Sequence, residues 1–239
     1  MNWIYLPIAN SDLDDFADVL VFRDQQDAML RGRDLKYRRC DKPLSSDPSG
    51  DIPHPPLSQV TDGDKVWVLL HGRRSTANEA AAMVDGAAVF MTAAELADRM
   101  HTDGLDPARH VDIKLYVCWA GMSRTRKKWG FLPVGKDAPF GGQLYAALSK
   151  LGHANKRVAG YRGAMQLIPY NAPHKLVSVG LSRARLPAHL SVPGSPEWSE
   201  DEETFNLAGF SRANDPAVKV WFDQVWLENN RHRLPRALR

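Results

Sequence analysis

The chain has 239 residues, 44% hydrophobic and 25% charged, an ordinary composition for a globular protein with one sizeable core. Its formal net charge of +3 is too small to indicate nucleic acid as a partner. No apolar run approaches the roughly 18 residues that span a bilayer, and the amino terminus lacks the basic leader of a secretory signal peptide. We therefore expect a cytoplasmic protein, or one exported without a cleavable signal.

The first part of the chain predicts a strand, a helix and a long loop. Trp3–Leu6 reads as a short strand, and Ser11 as the N-cap of a helix with Leu13, Phe16, Ala17 and Leu20 on one face. Residues 42–64 contain five prolines among Ser, Asp and Gly, which predicts a Pro-rich loop.

Strands and helices then alternate. A capping box at Thr92 and Glu95 starts one helix, with Ala93, Leu96, Ala97 and Met100 on its apolar face. A second helix runs from Leu144 to Leu151 with Gly152 as its C-cap, and a last one starts at Asp215 and Pro216, with Val218, Trp221, Phe222 and Val225 on its apolar face. Residues 119–139 and 191–204 read as loops. The predicted strands are Val66–Leu70, Ile113–Val117, Arg157–Tyr161 and Leu176–Leu181.

This alternation indicates βαβ units and a mainly parallel sheet with helices on both faces. We predict one α/β domain over residues 1–239, a three-layer α/β/α arrangement in which residues 191–239 form a C-terminal loop plus helix.

A histidine and a cysteine follow two of the predicted strands directly. The segment VWVLL ends at His71–Gly72, and DIKLYV ends at Cys118. In an open parallel sheet, reactive groups gather beyond the carboxyl ends of the strands. An imidazole near a thiol favours the nucleophilic thiolate, so the pattern predicts a Cys118–His71 dyad. The amides of Gly72 and Cys118 could stabilise an oxyanion.

The pattern VWVLLHG followed by DIKLYVCWAG resembles the caspase-like (clan CD) class of cysteine peptidases, which includes caspases, gingipains and the self-processing protease domains of large bacterial toxins. His71 precedes Cys118 by 47 positions (118 − 71), close to the roughly 50 residues typical of caspases. The toxin domains are the most similar, through HGR at 71–73, TAAELA at 92–97 and FGGQLYAALSKLG. The resemblance covers residues 64–165.

The resemblance implies a caspase-like fold and a peptidase that forms a thioester with a protein or peptide substrate, such as a bacterial effector or a self-processing protease. It also implies activation by an inositol polyphosphate at a basic surface, although no cofactor is required for the chemistry. Candidate anion-binding residues are Arg73, Arg74, Arg124, Arg126, Lys127 and Lys128, with Lys156 and Arg157 as further cations. A solvated basic loop is the alternative interpretation.

Several points stay open. Asp112, Asp85 or Asp64 could orient His71, or the site could be a dyad. Trp119 and Trp129 are candidates for a substrate pocket or for simple packing. Cys40 is interpreted as a surface thiol, and no metal is expected, because the sequence lacks a close grouping of zinc ligands. A non-catalytic binding module on the same scaffold is the alternative function. Oligomeric state is not predicted.

Overall fold

A computed structural model of the chain describes residues 1–42, 55–72, 77–128, 132–161, 164–167, 176–181, 205–212 and 219–239. The helices and strands of these residues, in chain order, are β1 (Asn2–Tyr5), α1 (Leu13–Arg31), β2 (Tyr37–Arg39), β3 (Lys65–Leu69), β4 (His71–Gly72), β5 (Glu79–Val84), β6 (Ala87–Thr92), α2 (Ala93–Thr102), β7 (Asp112–Tyr116), β8 (Arg124–Lys128), β9 (Leu132–Asp137), α3 (Phe140–Lys150), β10 (Arg157–Tyr161), β11 (Ala164–Leu167), β12 (Leu176–Leu181), β13 (Phe205–Arg212), β14 (Lys219–Phe222) and α4 (Gln224–Asn230). Short 3₁₀ helices lie at Pro56–Gln59, Arg231–Arg233 and Arg236–Leu238.

A six-stranded, mostly parallel sheet forms the centre of the fold, in the order β14-β10-β7-β3-β1-β2. All neighbours are parallel except β10 and β14. The chain runs outward from β1 to β2 on one side and from β3 through β7 to β10 on the other. The direction of winding therefore reverses between β1 and β3, the kind of switch point at which open α/β sheets bind ligands. The prediction of a mixed α/β fold with a mainly parallel sheet is confirmed.

The central strands are buried on both faces, which explains the continuous apolar run from Val66 to Leu69 in β3. In β7, both Ile113 and Leu115 on one face and Lys114 and Tyr116 on the other are buried. Phe16 of α1 stacks on Tyr116 with 4.9 Å between ring centroids, so α1 covers the face that carries Tyr116. Right-handed crossovers place α2 and α3, which pack on each other, on the opposite face.

The predicted strands at the centre of the sheet are confirmed, within one residue at each end. The capping box is confirmed as well: the Thr92 hydroxyl accepts a hydrogen bond from the Glu95 amide, and the Glu95 carboxylate accepts one from the Thr92 amide. All four residues of the predicted apolar face of α2 are buried. Helix α3 ends at Lys150, one residue earlier than predicted, with Leu151 as its C-cap, and Gly152 follows with φ of 86°.

Three predictions about the remaining elements are wrong, and one predicted strand is confirmed but lies outside the central sheet. Asp12, not Ser11, occupies the N-cap position of α1. The predicted loop 119–139 contains the antiparallel hairpin of β8 and β9. The strand Leu176–Leu181 exists but pairs with β11 and β13 in a small antiparallel sheet, outside the central one. The last predicted helix is instead strand β14, whose residues Val220 to Phe222 pair with β10, followed by the short helix α4.

Two predicted loops fall largely outside the described residues. Residues 43–54 of the Pro-rich loop and all of the loop 191–204 are not described. The described part of the Pro-rich loop contains a 3₁₀ helix at Pro56–Gln59. Within the described parts of the chain, no helix has both the length and the apolar character needed to cross a membrane.

Candidate active site

His71 and Cys118 lie just beyond the carboxyl ends of two neighbouring strands. β3 and β7 pair in parallel with Leu69 opposite Tyr116, and the Leu70 amide donates to the Tyr116 carbonyl at 3.3 Å. The ladder therefore continues up to the residues before the histidine and the cysteine. The predicted adjacency of the two strands is confirmed, and the pattern of one His and one Cys at the same sheet edge follows from it.

Gly72 lies directly against the backbone of Cys118. A β-carbon at position 72 would stand 1.8 Å from the Cys118 carbonyl oxygen and 2.9 Å from its amide nitrogen. No side chain fits there, so glycine is required by the close approach of two backbone segments. The space that a β-carbon of residue 72 would occupy is thus filled by the Cys118 backbone.

Cys118 occupies a tight turn with unusual backbone geometry. The Ala120 amide donates to the Val117 carbonyl at 3.3 Å, which closes a four-residue turn. Trp119, the third residue of that turn, has φ of 66°, a value that glycine or asparagine normally supplies in turns of type II. A bulky residue in the left-handed region costs about 1–2 kcal/mol, and such outliers concentrate at functional sites. Trp119 is only 7% exposed, so most of its indole is packed.

Neighbouring elements hold this turn in place. The Gly121 amide donates to the Tyr161 carbonyl at 2.8 Å, and the Gly141 amide in the first turn of α3 donates to the Ala120 carbonyl at 2.9 Å. A β-carbon on Gly121 would meet the Gly160 backbone at 2.9 Å, so β10 also packs tightly on the turn. The position of Cys118 is therefore fixed by the sheet on one side and by α3 on the other.

Asp12 is the acidic partner of His71, and the sequence did not reveal it. His71 Nε2 lies 2.7 Å from Asp12 Oδ2, across the switch point between β1 and β3. The second carboxylate oxygen, Oδ1, accepts from the Met83 amide at 2.9 Å, and the Asp12 amide donates to the Met83 carbonyl at 2.9 Å. Although it stands at the N-cap of α1, the Asp12 side chain makes no capping bond. Its carboxylate instead joins the β5–β6 hairpin to the histidine.

Two of the three aspartates considered from the sequence have other partners, Asp64 and Asp112. Asp64 accepts from the Trp3 indole at 2.9 Å and from the Thr61 amide at 3.0 Å. Asp112 pairs with Arg157, with Nη2 and Oδ1 2.8 Å apart. Both carboxylates lie at the start of their strands, the opposite edge from His71. Asp85 is in the turn between β5 and β6.

The two cysteines differ in exposure. Cys118 is partly exposed, whereas Cys40 is only 1% exposed, and neither forms a disulfide. The interpretation of Cys40 as a surface thiol is wrong. Burial raises the pKa of the Cys40 thiol well above its usual range, and Asp41 adds to the effect. Cys40 is therefore an unreactive thiol, in the sense that its thiolate is disfavoured.

The structure describes only some of the predicted anion-binding residues. Arg73, Arg74 and Trp129 lie outside the described residues, and Arg124, Arg126, Lys127 and Lys128 form strand β8. Lys156 does not fit the prediction: it is 1% exposed, and its Nζ donates to the carbonyls of Asp106, Pro107 and Arg109. Arg157 begins β10 and lies at the amino-terminal edge of the sheet.

A different group of cations shares one face of the central sheet. The register places Lys114 beside Trp67 on β3 and Ala159 on β10, and Ala159 beside Trp221 on β14. Lys114 is 7% exposed, with Nζ 5.0 Å from the Trp67 ring centre. Burial first, and then the charges of Lys219 and Lys65, lower the pKa of Lys114 to about 8. We call Lys65, Lys114, Arg157 and Lys219 the sheet-face cations.

These cations outnumber the carboxylates beside them. Asp112 is the acidic group whose charge acts on both Lys114 and Lys219, and it already pairs with Arg157. Arg157 and Lys219 also lie over the Trp221 ring, at 4.6 and 4.2 Å from its centre. An excess of positive charge around a buried lysine is the arrangement that a multivalent anion would neutralise.

A groove of about 510 Å³ opens at the amino-terminal edge of the sheet, with Asp64, His110 and Asp112 in its lining. It contains neither His71 nor Cys118, so it is separate from the candidate site.

No protein-family model and no curated protein matches this sequence.

Proposed function

We propose that the chain is a cysteine peptidase of the caspase-like class, with Cys118 as nucleophile and His71 as general base. The observation that carries the proposal is the parallel pairing of β3 with β7, which brings the residues after both strands to one edge of the sheet. The contact of Gly72 with the Cys118 backbone supports a short separation between the two side chains. The Cys118 thiol is partly exposed, and an imidazole within reach of it would favour the nucleophilic thiolate.

Asp12 supports the role of His71 by fixing its tautomer. A carboxylate accepts hydrogen bonds, so contact with Asp12 places the proton of the neutral imidazole on Nε2. Nδ1 then carries the lone pair that takes a proton from sulfur. In this scheme Asp12 orients the base and stabilises its protonated form, as the third residue does in other nucleophile–base pairs.

The proposed reaction proceeds by acyl transfer. His71 takes the thiol proton of Cys118, and the sulfur attacks the substrate carbonyl carbon. The oxyanion is held by the amides of Gly72 and Cys118, and removal of one such donor typically costs about 10²–10³ in rate. The carbon–nitrogen bond breaks as the imidazolium protonates the leaving amine. Water then attacks the thioester, with His71 again accepting the proton, and the thiol is regenerated.

Thiol reactivity separates this proposal from a non-catalytic binding module. We expect iodoacetamide to alkylate Cys118 rapidly at neutral pH, and His71→Ala to slow that alkylation at least about 10-fold. Cys40 serves as the internal control in the same sample, because its buried thiol should react slowly in both proteins. Equal rates at Cys118 with and without His71 would contradict the proposal.

Peptidase activity requires its own test. Mass spectrometry of a diverse peptide library after incubation should identify cleaved products and the residue preceding each cut. Cys118→Ala should abolish every cut while leaving thermal stability nearly unchanged. Cleavage that survives in a purified Cys118→Ala protein would remove the assignment.

We also propose an anionic activator, as the resemblance to the toxin domains implies, with an inositol polyphosphate as the ligand. The sheet-face cations support this proposal because they surround Lys114 with like charges. Lys65 and His71 belong to the same chain segment around β3, and Lys114 and Cys118 to the same segment around β7. An anion held by these two strands would act directly on the two elements that carry the dyad.

Calorimetric titration with inositol hexakisphosphate tests the activator. We expect binding that weakens with added salt and is reduced at least about 10-fold by Lys114→Met. Lys36→Met, at an exposed lysine, is the matched control. Unchanged affinity in Lys114→Met would assign any binding to other residues.

A further inference from the structure

Gln143 is a buried polar side chain at the start of α3. It is 3% exposed, and its Nε2 lies 2.9 Å from the Ala77 carbonyl oxygen and 2.8 Å from the Ala138 carbonyl oxygen. Asn78 Oδ1 is a third acceptor at 3.2 Å. A primary amide has two N–H groups, which match the two buried carbonyls. Gln143 therefore ties together two segments that are 61 residues apart (138 − 77).

One of these segments leads to the candidate base. Ala77 and Asn78 directly precede β5, and Ala80 and Ala81 of that strand pair with Gly72 and His71. A displacement of Ala77 and Asn78 would therefore be passed through the β5–β4 pairing to His71 within a few residues.

The other segment belongs to the support of the candidate nucleophile. Ala138 precedes the first turn of α3, and the Gly141 amide in that turn donates to the Ala120 carbonyl at 2.9 Å. Ala120 closes the turn that contains Cys118. The start of α3 thus contacts the turn that contains Cys118 through Gly141, and it contacts Ala77 and Asn78, the residues before β5, through Gln143.

We infer that Gln143 is a positioning residue, which sets the location of His71 relative to Cys118 by holding the start of β5 against the start of α3. This inference rests on the proposed function. It deepens that proposal by adding a residue that touches neither reacting group and acts through the β5–β4 pairing.

A purely structural role for Gln143 would lower the melting temperature without altering the chemistry of the thiol. A positioning role changes the ionisation of Cys118, because the imidazole stabilises the thiolate only at short range. The decisive measurement is therefore the pH dependence of Cys118 alkylation, followed on the Cys118 peptide by mass spectrometry in the full chain.

Gln143→Met keeps the length of the side chain but removes both donors. We expect Cys118 to be alkylated at least about 10-fold more slowly at pH 7, with the midpoint of the profile moved toward the roughly 8.5 of an ordinary thiol. Tyr145→Phe is the matched control on the same helix, because it removes a hydroxyl that donates to the Ala154 carbonyl at 3.4 Å, away from the site. A Gln143→Met profile identical to that of the parent overturns the inference.

If Gln143→Met does not fold, Gln143→Asn provides the second variant, since it retains an amide that is one methylene too short to bridge both carbonyls. A folded Gln143→Asn protein should show the same slowing, and an unchanged profile would again overturn the inference. The pH profile of Cys118 alkylation in His71→Ala distinguishes failure of this inference from failure of the proposed function. A parent profile that depends on His71 but not on Gln143 refutes only this inference, whereas no dependence on His71 refutes the proposed function itself.

Discussion

The β-carbon that Gly72 lacks would stand 1.8 Å from the carbonyl oxygen of Cys118. The residue after the candidate base and the candidate nucleophile are therefore in direct backbone contact. Such a distance cannot be accommodated by rotation of a side chain, because both contacting groups belong to the main chain. The requirement for glycine at this position is steric and follows from the pairing of β3 with β7.

Gly72→Ala should lower the free energy of unfolding by about 2–3 kcal/mol, as expected for overpacking against a rigid neighbour. Chemical denaturation measures this loss. Gly152→Ala is the matched control: a β-carbon there meets no atom within 4 Å, and only its φ of 86° opposes the change. The control should cost about 1 kcal/mol. Equal losses in both variants would show that contact with Cys118 is unimportant.

Asp12→Asn should reduce kcat/KM at least about 10-fold if the chain is a peptidase, because the amide can donate to His71 Nε2 and favour the wrong tautomer. The amide oxygen can still accept from Met83, so the fold should be retained. Asp14→Asn is the control, since Asp14 pairs with Arg39 and Lys42. A similar loss of activity in both variants would assign the effect to general charge.

Lys114→Met should stabilise the protein at pH 7 by about 1–2 kcal/mol, because it removes a buried charge surrounded by like charges. The pKa of Lys114 is lowered from 10.5 to about 8, so the folded state binds fewer protons than the unfolded state between these values. The parent should therefore gain stability as pH rises from about 8 to 10.5, and the variant should not. Denaturation at several pH values tests this, with the exposed Lys36→Met as control.

His153 should make the fold acid-sensitive. Burial first, and then the neighbouring charge of Lys156, lower the pKa of His153 from 6.5 to about 4. The unfolded state binds more protons in this window, so stability should fall as pH decreases from about 6.5 to 4. His153→Phe should flatten that part of the melting-temperature curve, even if the lost contact with His101 lowers it overall. His110→Gln, at an exposed histidine, should leave the slope unchanged; parallel curves for parent and His153→Phe would contradict the assignment.

The central strands could be predicted because their environment is uniform. A strand covered on both faces favours apolar residues at every position, and β3 fulfils this from Val66 to Leu69, whereas β7 includes the buried Lys114. The N-terminal cap of α2 could be predicted for a similar reason, because Thr92 and Glu95 form hydrogen bonds to each other within one helical turn. Where the stabilising contacts lie within a few residues, the sequence carries the information directly.

Other local signals and long-range pairing determine the hairpins and the last strand. Asp85 and Gly86, between β5 and β6, both have positive φ, 50° and 78°. Asp-Gly between apolar runs is a strong marker of a two-residue hairpin. At the carboxyl end, Trp221 and Phe222 fit a helical period as well as a strand. Pairing with β10 decides for the strand, and Asp223 then caps the shorter helix α4.

Asp12 could not be chosen from the sequence, because it precedes His71 by 59 positions (71 − 12) and reaches it only through the sheet order. A parallel neighbour can come from any earlier strand. Asp12 follows β1, and the pairing of β1 with β3 is what brings it to His71.

The hydrogen-bond ladder between β3 and β7 has a consequence for how such a protein can vary. Neighbouring strands are about 4.8 Å apart whatever connects them. The segments that lead into His71 and Cys118 are therefore separated by a repeat distance common to all sheets. Insertions or deletions between α2 and β7, beyond the β5–β6 hairpin, would therefore leave the spacing of β3 and β7 unchanged.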